Sequence, residues 1–169
     1  QRTLQTVANG AFAAGGSDIS GDGFADVAMQ KNAGGGFAQF DIHSGVDGAI
    51  LETFQLGTPT SVIVSGNHSG DSRADTTVIR GMGGAILWTT RESGTGTVQP
   101  DVSFGLSASD FPLSGDFDGD GFDDYAIWRP SATPGMSIFS IRPSSNTVVP
   151  FDVNFGQNGD RPIENGRSH

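Results

Sequence analysis

The sequence predicts an all-β protein assembled from repeated four-stranded units, and three observations carry that prediction. Glycine and proline are abundant, at 26 and 8 of 169 residues, while hydrophobic residues make up only 35%. No stretch sustains the three-and-four apolar spacing of a helix. This composition suits many short strands joined by tight turns. The third observation is an internal repeat, which sets the architecture.

Three nine-residue stretches align without gaps: Asp18-Ile19-Ser20-Gly21-Asp22-Gly23-Phe24-Ala25-Asp26, Asn67-His68-Ser69-Gly70-Asp71-Ser72-Arg73-Ala74-Asp75 and Asp116-Phe117-Asp118-Gly119-Asp120-Gly121-Phe122-Asp123-Asp124. Their first residues, 18, 67 and 116, are 49 apart both times, and glycine holds the fourth position in each. Lys31, Arg80 and Arg129 keep the same spacing. Further on, Phe40, Trp88 and Phe139 fall at one aligned position, and each unit closes on an apolar-Gly pair: Leu56-Gly57, Phe104-Gly105 and Phe155-Gly156. The units run over about 10–58, 59–107 and 108–156 of a single repeat domain spanning 1–166.

Taken in chain order, residues 2–7 read as the closing strand of a preceding unit. Each full unit reads as four strands. In the third these are roughly 111–116, 124–129, 136–142 and 147–154. Tyr125-Ala126-Ile127-Trp128 is continuously apolar, as in a strand buried on both faces, whereas Ser137–Ile141 alternates like a half-buried one. Residues 160–165 echo the opening of a further unit, and 167–169 look like the remnant of a histidine tag. Four strands repeating at this length are expected of a β-propeller blade, which cannot hide both faces and must stack on neighbours. Three units are fewer than the roughly four to eight that close a ring. The expectation is therefore a partial propeller, or a ring completed by association of copies as a homo-oligomer.

Charge narrows the partners. The formal net charge is −10, and sixteen Asp stand against three Glu. Nucleic acid is excluded as a partner, because phosphate contacts need clustered Lys and Arg. No apolar stretch approaches the roughly 20 residues that insert into a membrane as a helix. With no cysteine, disulfides and thiolate–metal sites are excluded. The excess of Asp, a turn and cation-ligand residue, points to oxygen-rich metal sites.

Those sites are the nine-residue loops. In the third, Asp116, Asp118, Asp120 and Asp124 occupy positions 1, 3, 5 and 9, and the Phe122 carbonyl at position 7 supplies a fifth oxygen. Ca2+ takes six to eight hard oxygen ligands, which clustered carboxylates and carbonyls provide. Without a cation, carboxylates so close would repel one another. The first loop offers Asp18, Ser20, Asp22, the Phe24 carbonyl and Asp26. The second offers Asn67, Ser69, Asp71, the Arg73 carbonyl and Asp75, with two carboxylates instead of four and Ser72 in place of glycine. Ca2+ is expected in the third and first loops, and the second would be a weaker third site. An EF-hand is rejected, because its twelfth-position Glu is replaced by Met29, Val78 and Ile127 in strand-like sequence.

The stretch Gly115–Ser131, with Phe104-Gly105 and Asp110-Phe111-Pro112 before it, resembles the FG-GAP/VCBS repeats of bacterial extracellular proteins. Their calcium-loop pattern is shared with integrin α-subunit propellers. The resemblance covers nearly the whole chain, strongly in the third unit, well in the first and loosely in the second. It implies propeller blades with calcium between the first and second strands, a secreted or cell-surface location, and a role in adhesion, carbohydrate binding or scaffolding.

Other residues point away from catalysis. His43 and His68 have no Ser, Cys or second His arranged for triad or zinc chemistry, and the Asp residues are accounted for by repeated loops. Trp88 and Trp128 fall within strands at repeat positions and read as core rather than sugar platforms. Lys31, Arg80 and Arg129 read as cations paired with neighbouring loop carboxylates or lying along a blade edge. The expectation is a noncatalytic calcium-binding module with a protein or glycan ligand. Its alternatives are a lectin and a noncatalytic fragment of an extracellular enzyme.

Overall fold

The computed structural model describes residues 12–145 and 150–162. The chain is all-β there, in three four-stranded antiparallel sheets of one connectivity. The first holds β1 (Phe12–Ser17), β2 (Asp26–Gly34), β3 (Phe37–His43) and β4 (Ile50–Gln55). The second holds β5 (Val62–Gly66), β6 (Asp75–Met82), β7 (Ala85–Arg91) and β8 (Val102–Leu106). The third holds β9 (Phe111–Gly115), β10 (Asp124–Arg129), β11 (Ile138–Arg142) and β12 (Phe151–Asn154). In every sheet the strands lie in sequence order, as simple meanders. The segments 2–7 and 163–165 of the expected flanking strands, and 167–169, lie outside the described residues.

Strand register matches the sequence alignment. Phe40 pairs with Gln30, Trp88 with Ile79 and Phe139 with Trp128, so the aligned aromatics sit opposite residues 49 apart (30, 79, 128). The continuously apolar run of β10 is buried on both faces. Tyr125 and Ile127 join Val64, Ile79, Ile86 and Trp88 of the second sheet. Ala126 and Trp128 join Leu113 and Ile141 within their own sheet. The expected strand at 136–142 starts later, at Ile138, because Gly135, with φ +75°, takes a left-handed turn.

Neighbouring sheets stack face to face through these clusters. Between the first and second, Val78 and Ile63 pack on Ala38, Phe40, Phe54 and Leu56. Buried Gln30 donates across the same joint to the Thr58 and Ser61 carbonyls, at 3.1 and 3.3 Å. Arg91 pairs there with Glu52 and lies 4.0 Å from the Phe54 ring centre. The first strands of successive sheets approach one another, β1 to β5 and β5 to β9. Each loop between a first and second strand therefore ends up beside the corresponding loop of the next sheet.

Candidate metal centre

All three nine-residue loops connect the first and second strands of a sheet. Position 1 opens each loop as a cap. The Asp18 carboxylate accepts from the Gly21, Asp22 and Gly23 amides at 2.6, 3.1 and 2.8 Å. Asp116 accepts from Gly119 at 2.7 Å and Gly121 at 3.2 Å, and the Asn67 oxygen from Gly70 at 2.9 Å. Position 5 repeats the device one turn later. Asp22, Asp71 and Asp120 each accept the position-7 amide at 2.9 Å. Left-handed backbone at Gly119 and Gly121 (φ +85° and +92°) coils the third loop tightly enough to bring its side chains together.

In that loop one carboxylate oxygen from each of Asp116, Asp118 and Asp120 lies within 4.8 Å of the other two. Among the described residues this is the only grouping of three or more His, Cys, Asp or Glu ligand atoms at metal-binding spacing. Asp118 Oδ1 accepts the Asp120 amide at 3.2 Å, while Asp118 Oδ2 is shielded from solvent and accepts no hydrogen bond. A buried carboxylate oxygen without a donor is costly. An oxygen-seeking cation would satisfy it and relieve the repulsion within the trio.

The position-9 carboxylates behave differently from the convergence expected of them. Asp26, Asp75 and Asp124 are fully buried and hold the loops to the rest of each sheet. Asp124 accepts from the Phe117 amide at 3.0 Å and the Ser144 amide at 3.1 Å. Asp75 accepts from the Ser69 amide at 2.8 Å and the Ser93 amide at 2.9 Å. Asp26 takes the Ile19 and Ser20 amides at 3.0 and 2.7 Å and the Gly45 amide at 3.4 Å. Burial raises the pKa of Asp75 and Asp124, and nearby carboxylates add to it: Asp71 in the first case, Asp118 and Asp120 in the second. Asp124 thus feels the trio without belonging to it.

The first and second loops bring together fewer charges. Asp18 and Asp22 line the first with Ser20, whose hydroxyl stands 3.5 Å from Asp18 Oδ1. In the second, Asn67 and Asp71 accept loop amides, and the Ser69 hydroxyl donates to Asp75 Oδ1 at 3.3 Å. The position-7 residues Phe24, Arg73 and Phe122 are held through their amides, each donating to the position-5 carboxylate.

Sequence reasoning missed a second turn, between the third and fourth strands, that props each loop. Ser44-Gly45 and Ser93-Gly94 stand 49 apart, and Ser144-Ser145 takes their place in the third unit. A Cβ at Gly45 would lie 1.8 Å from the Ala25 carbonyl oxygen, so only glycine fits there, and one at Gly94 would lie 2.2 Å from Asp71 Oδ2 and displace that carboxylate. In the third unit the Ser145 hydroxyl bonds Asp120 and, with the Phe122 amide, lowers the Asp120 pKa. The repeating Ser-Gly pair was the available signal.

Lys31, Arg80 and Arg129 each meet a carboxylate outside the metal loops: Asp41, Asp101 and Asp110, all at 2.6 Å. Trp88 and Trp128 are buried, and the Trp88 indole donates to the Phe104 carbonyl at 2.8 Å. Neither offers an open ring face to a sugar. Compared with known proteins, the chain matches no family model, no curated protein and no solved structure.

Proposed function

We propose that this chain is a noncatalytic calcium-binding module of propeller-type blades, from a secreted or cell-surface protein, serving adhesion or protein interaction. The observation that carries the reading is the Asp116, Asp118 and Asp120 trio with its buried, unpartnered Asp118 oxygen. Three converging carboxylates form a hard-oxygen donor set suited to Ca2+. Propeller architecture is supported by three meanders stacked face to face with their first strands adjacent. Calcium acts structurally here. It would neutralise the trio and favour the folded state that presents it.

Calorimetric titration of Ca2+ into chelator-stripped protein tests the reading. At least one site is expected, and Asp118→Asn should weaken the tightest by about tenfold or more, roughly 1.4 kcal/mol. An absence of saturable binding in the unaltered protein would sink it.

A further inference from the structure

The two internal joints follow one rule. At each, the position-7 side chain of one loop lies over the position-4 glycine of the loop before it. A Cβ on Gly21 would fall 2.7 Å from Arg73 Nε, and one on Gly70 2.2 Å from the Phe122 ring. A backbone bond runs alongside. The Ala74 amide, at position 8, donates to the position-1 carbonyl of Asp18 at 2.7 Å. The Asp123 amide donates likewise to Asn67 at 2.8 Å. Beneath the loops, residues at one pair of aligned positions fill the joint: Thr76 and Val78 at the first, Tyr125 and Ile127 at the second.

Both halves of this joint recur on the outer faces. On the first sheet the aligned residues are Phe24, Val27 and Met29. Phe24 is 60% exposed and Val27 and Met29 are half-buried. On the third sheet Gly119 has open space where its predecessors meet Arg73 and Phe122. Around it the face is apolar, with Phe117, Val153 and Phe155 exposed beside Phe139 and Trp128. One face offers the knob and the other the seat.

We infer that the outer face of the third sheet docks the outer face of the first sheet of a second copy, head to tail, with Phe24 seated over Gly119 of its neighbour. The contact is heterologous, continuing the internal joints from one chain to the next. Its occupant is specified because both partner surfaces are on the same molecule and are already used twice in matched form. The inference stands on packing and does not require the calcium reading, which calorimetry tests separately.

Light scattering on the full chain in excess Ca2+, up to about 1 mM protein, tests it. Mass is expected to rise above the 17.5 kDa of one chain as concentration increases. Phe24→Glu and Val153→Glu, both at exposed positions, should each weaken association at least tenfold. Mixed in equal amounts, they should form a 1:1 dimer through the intact face of each, although both carry the same added charge. A single-chain mass for the unaltered protein at every concentration would overturn the proposal whatever the variants do. Failure of two folded variants to pair on mixing, with circular dichroism matching the parent, would overturn the head-to-tail geometry.

Discussion

His68 sits in the second loop but points into the joint between the second and third sheets, stacked on Tyr125 at 4.6 Å between ring centres. Its Nδ1 lies 2.6 Å from the Asp123 carbonyl, which can only accept, so Nδ1 carries the proton and Nε2 receives the Ser114 hydroxyl at 3.3 Å. Burial pushes its pKa down to about 4, despite the opposing pull of Asp123. A depressed histidine pKa means the neutral form is favoured on folding. Its contribution is complete above the unfolded pKa of 6.5 and is lost as pH falls from there toward about 4. Over that window His68 should account for about 3 kcal/mol of acid destabilisation. Urea unfolding at a series of pH values should show a shallower acid slope for His68→Phe, which keeps a ring against Tyr125. Ser72 is the other residue with a cost of its own. Its φ of +68° is the only left-handed value at a non-glycine among the described residues, at the position where the other loops carry glycine. Ser72→Gly should therefore raise the urea midpoint, reflecting a gain in unfolding free energy of up to about 1 kcal/mol once the extra unfolded-state freedom of glycine is subtracted.

Loops and strands act together at the element scale. A β-meander cannot bury both faces, and here the loop capping one meander is also the surface on which the next loop rests. Gly70 shows the consequence. Its φ of +75° disfavours any side chain, and the Phe122 ring occupies the space a Cβ would need. Gly119 shares the left-handed backbone but has open space beside it. Gly119→Ala should cost about 1–2 kcal/mol from backbone strain alone. Gly70→Ala should cost at least about 1 kcal/mol more from overpacking. Thermal or urea unfolding of both variants measures the difference. Combining Gly70→Ala with Phe122→Ala should give less than the sum of the two single effects, since one removes the clash made by the other. Equal costs for the two glycine variants would show that the loops do not bear on one another.

For the whole molecule, electrostatics and stability are linked. The net charge of −10 includes the buried and clustered carboxylates of three loops. Each bound Ca2+ would add two positive charges, so three would leave −4. A site at a free-ion concentration 100 times its dissociation constant would add about 2.7 kcal/mol to the folded state. Thermal unfolding in excess Ca2+ should therefore give a clearly higher midpoint than unfolding in chelator. Ionic strength is matched so that general screening does not contribute. An unchanged midpoint would mean that the loops do not hold calcium in the folded state.

The sequence by itself determined the all-β class, the strand positions of the third unit to within a few residues, and the three loops. These features are local: glycine at positive φ, Asp capping the next amides, and alternation along a strand each act over a few residues. The 49-residue spacing added the registry of the second strands: Gln30, Ile79 and Trp128 face Phe40, Trp88 and Phe139, although the aromatics themselves are 48 and 51 apart. Tertiary structure decided the rest. Asp124 reads as a fourth ligand in sequence, yet it is drawn to the Phe117 and Ser144 amides, because a buried carboxylate needs donors and the β11–β12 turn brings one. The proximity of Ser145 to Asp120, of Arg73 to Gly21 and of Phe122 to Gly70 depends on how turns and sheets stack. Such contacts join residues far apart in the chain, and no local pattern encodes them.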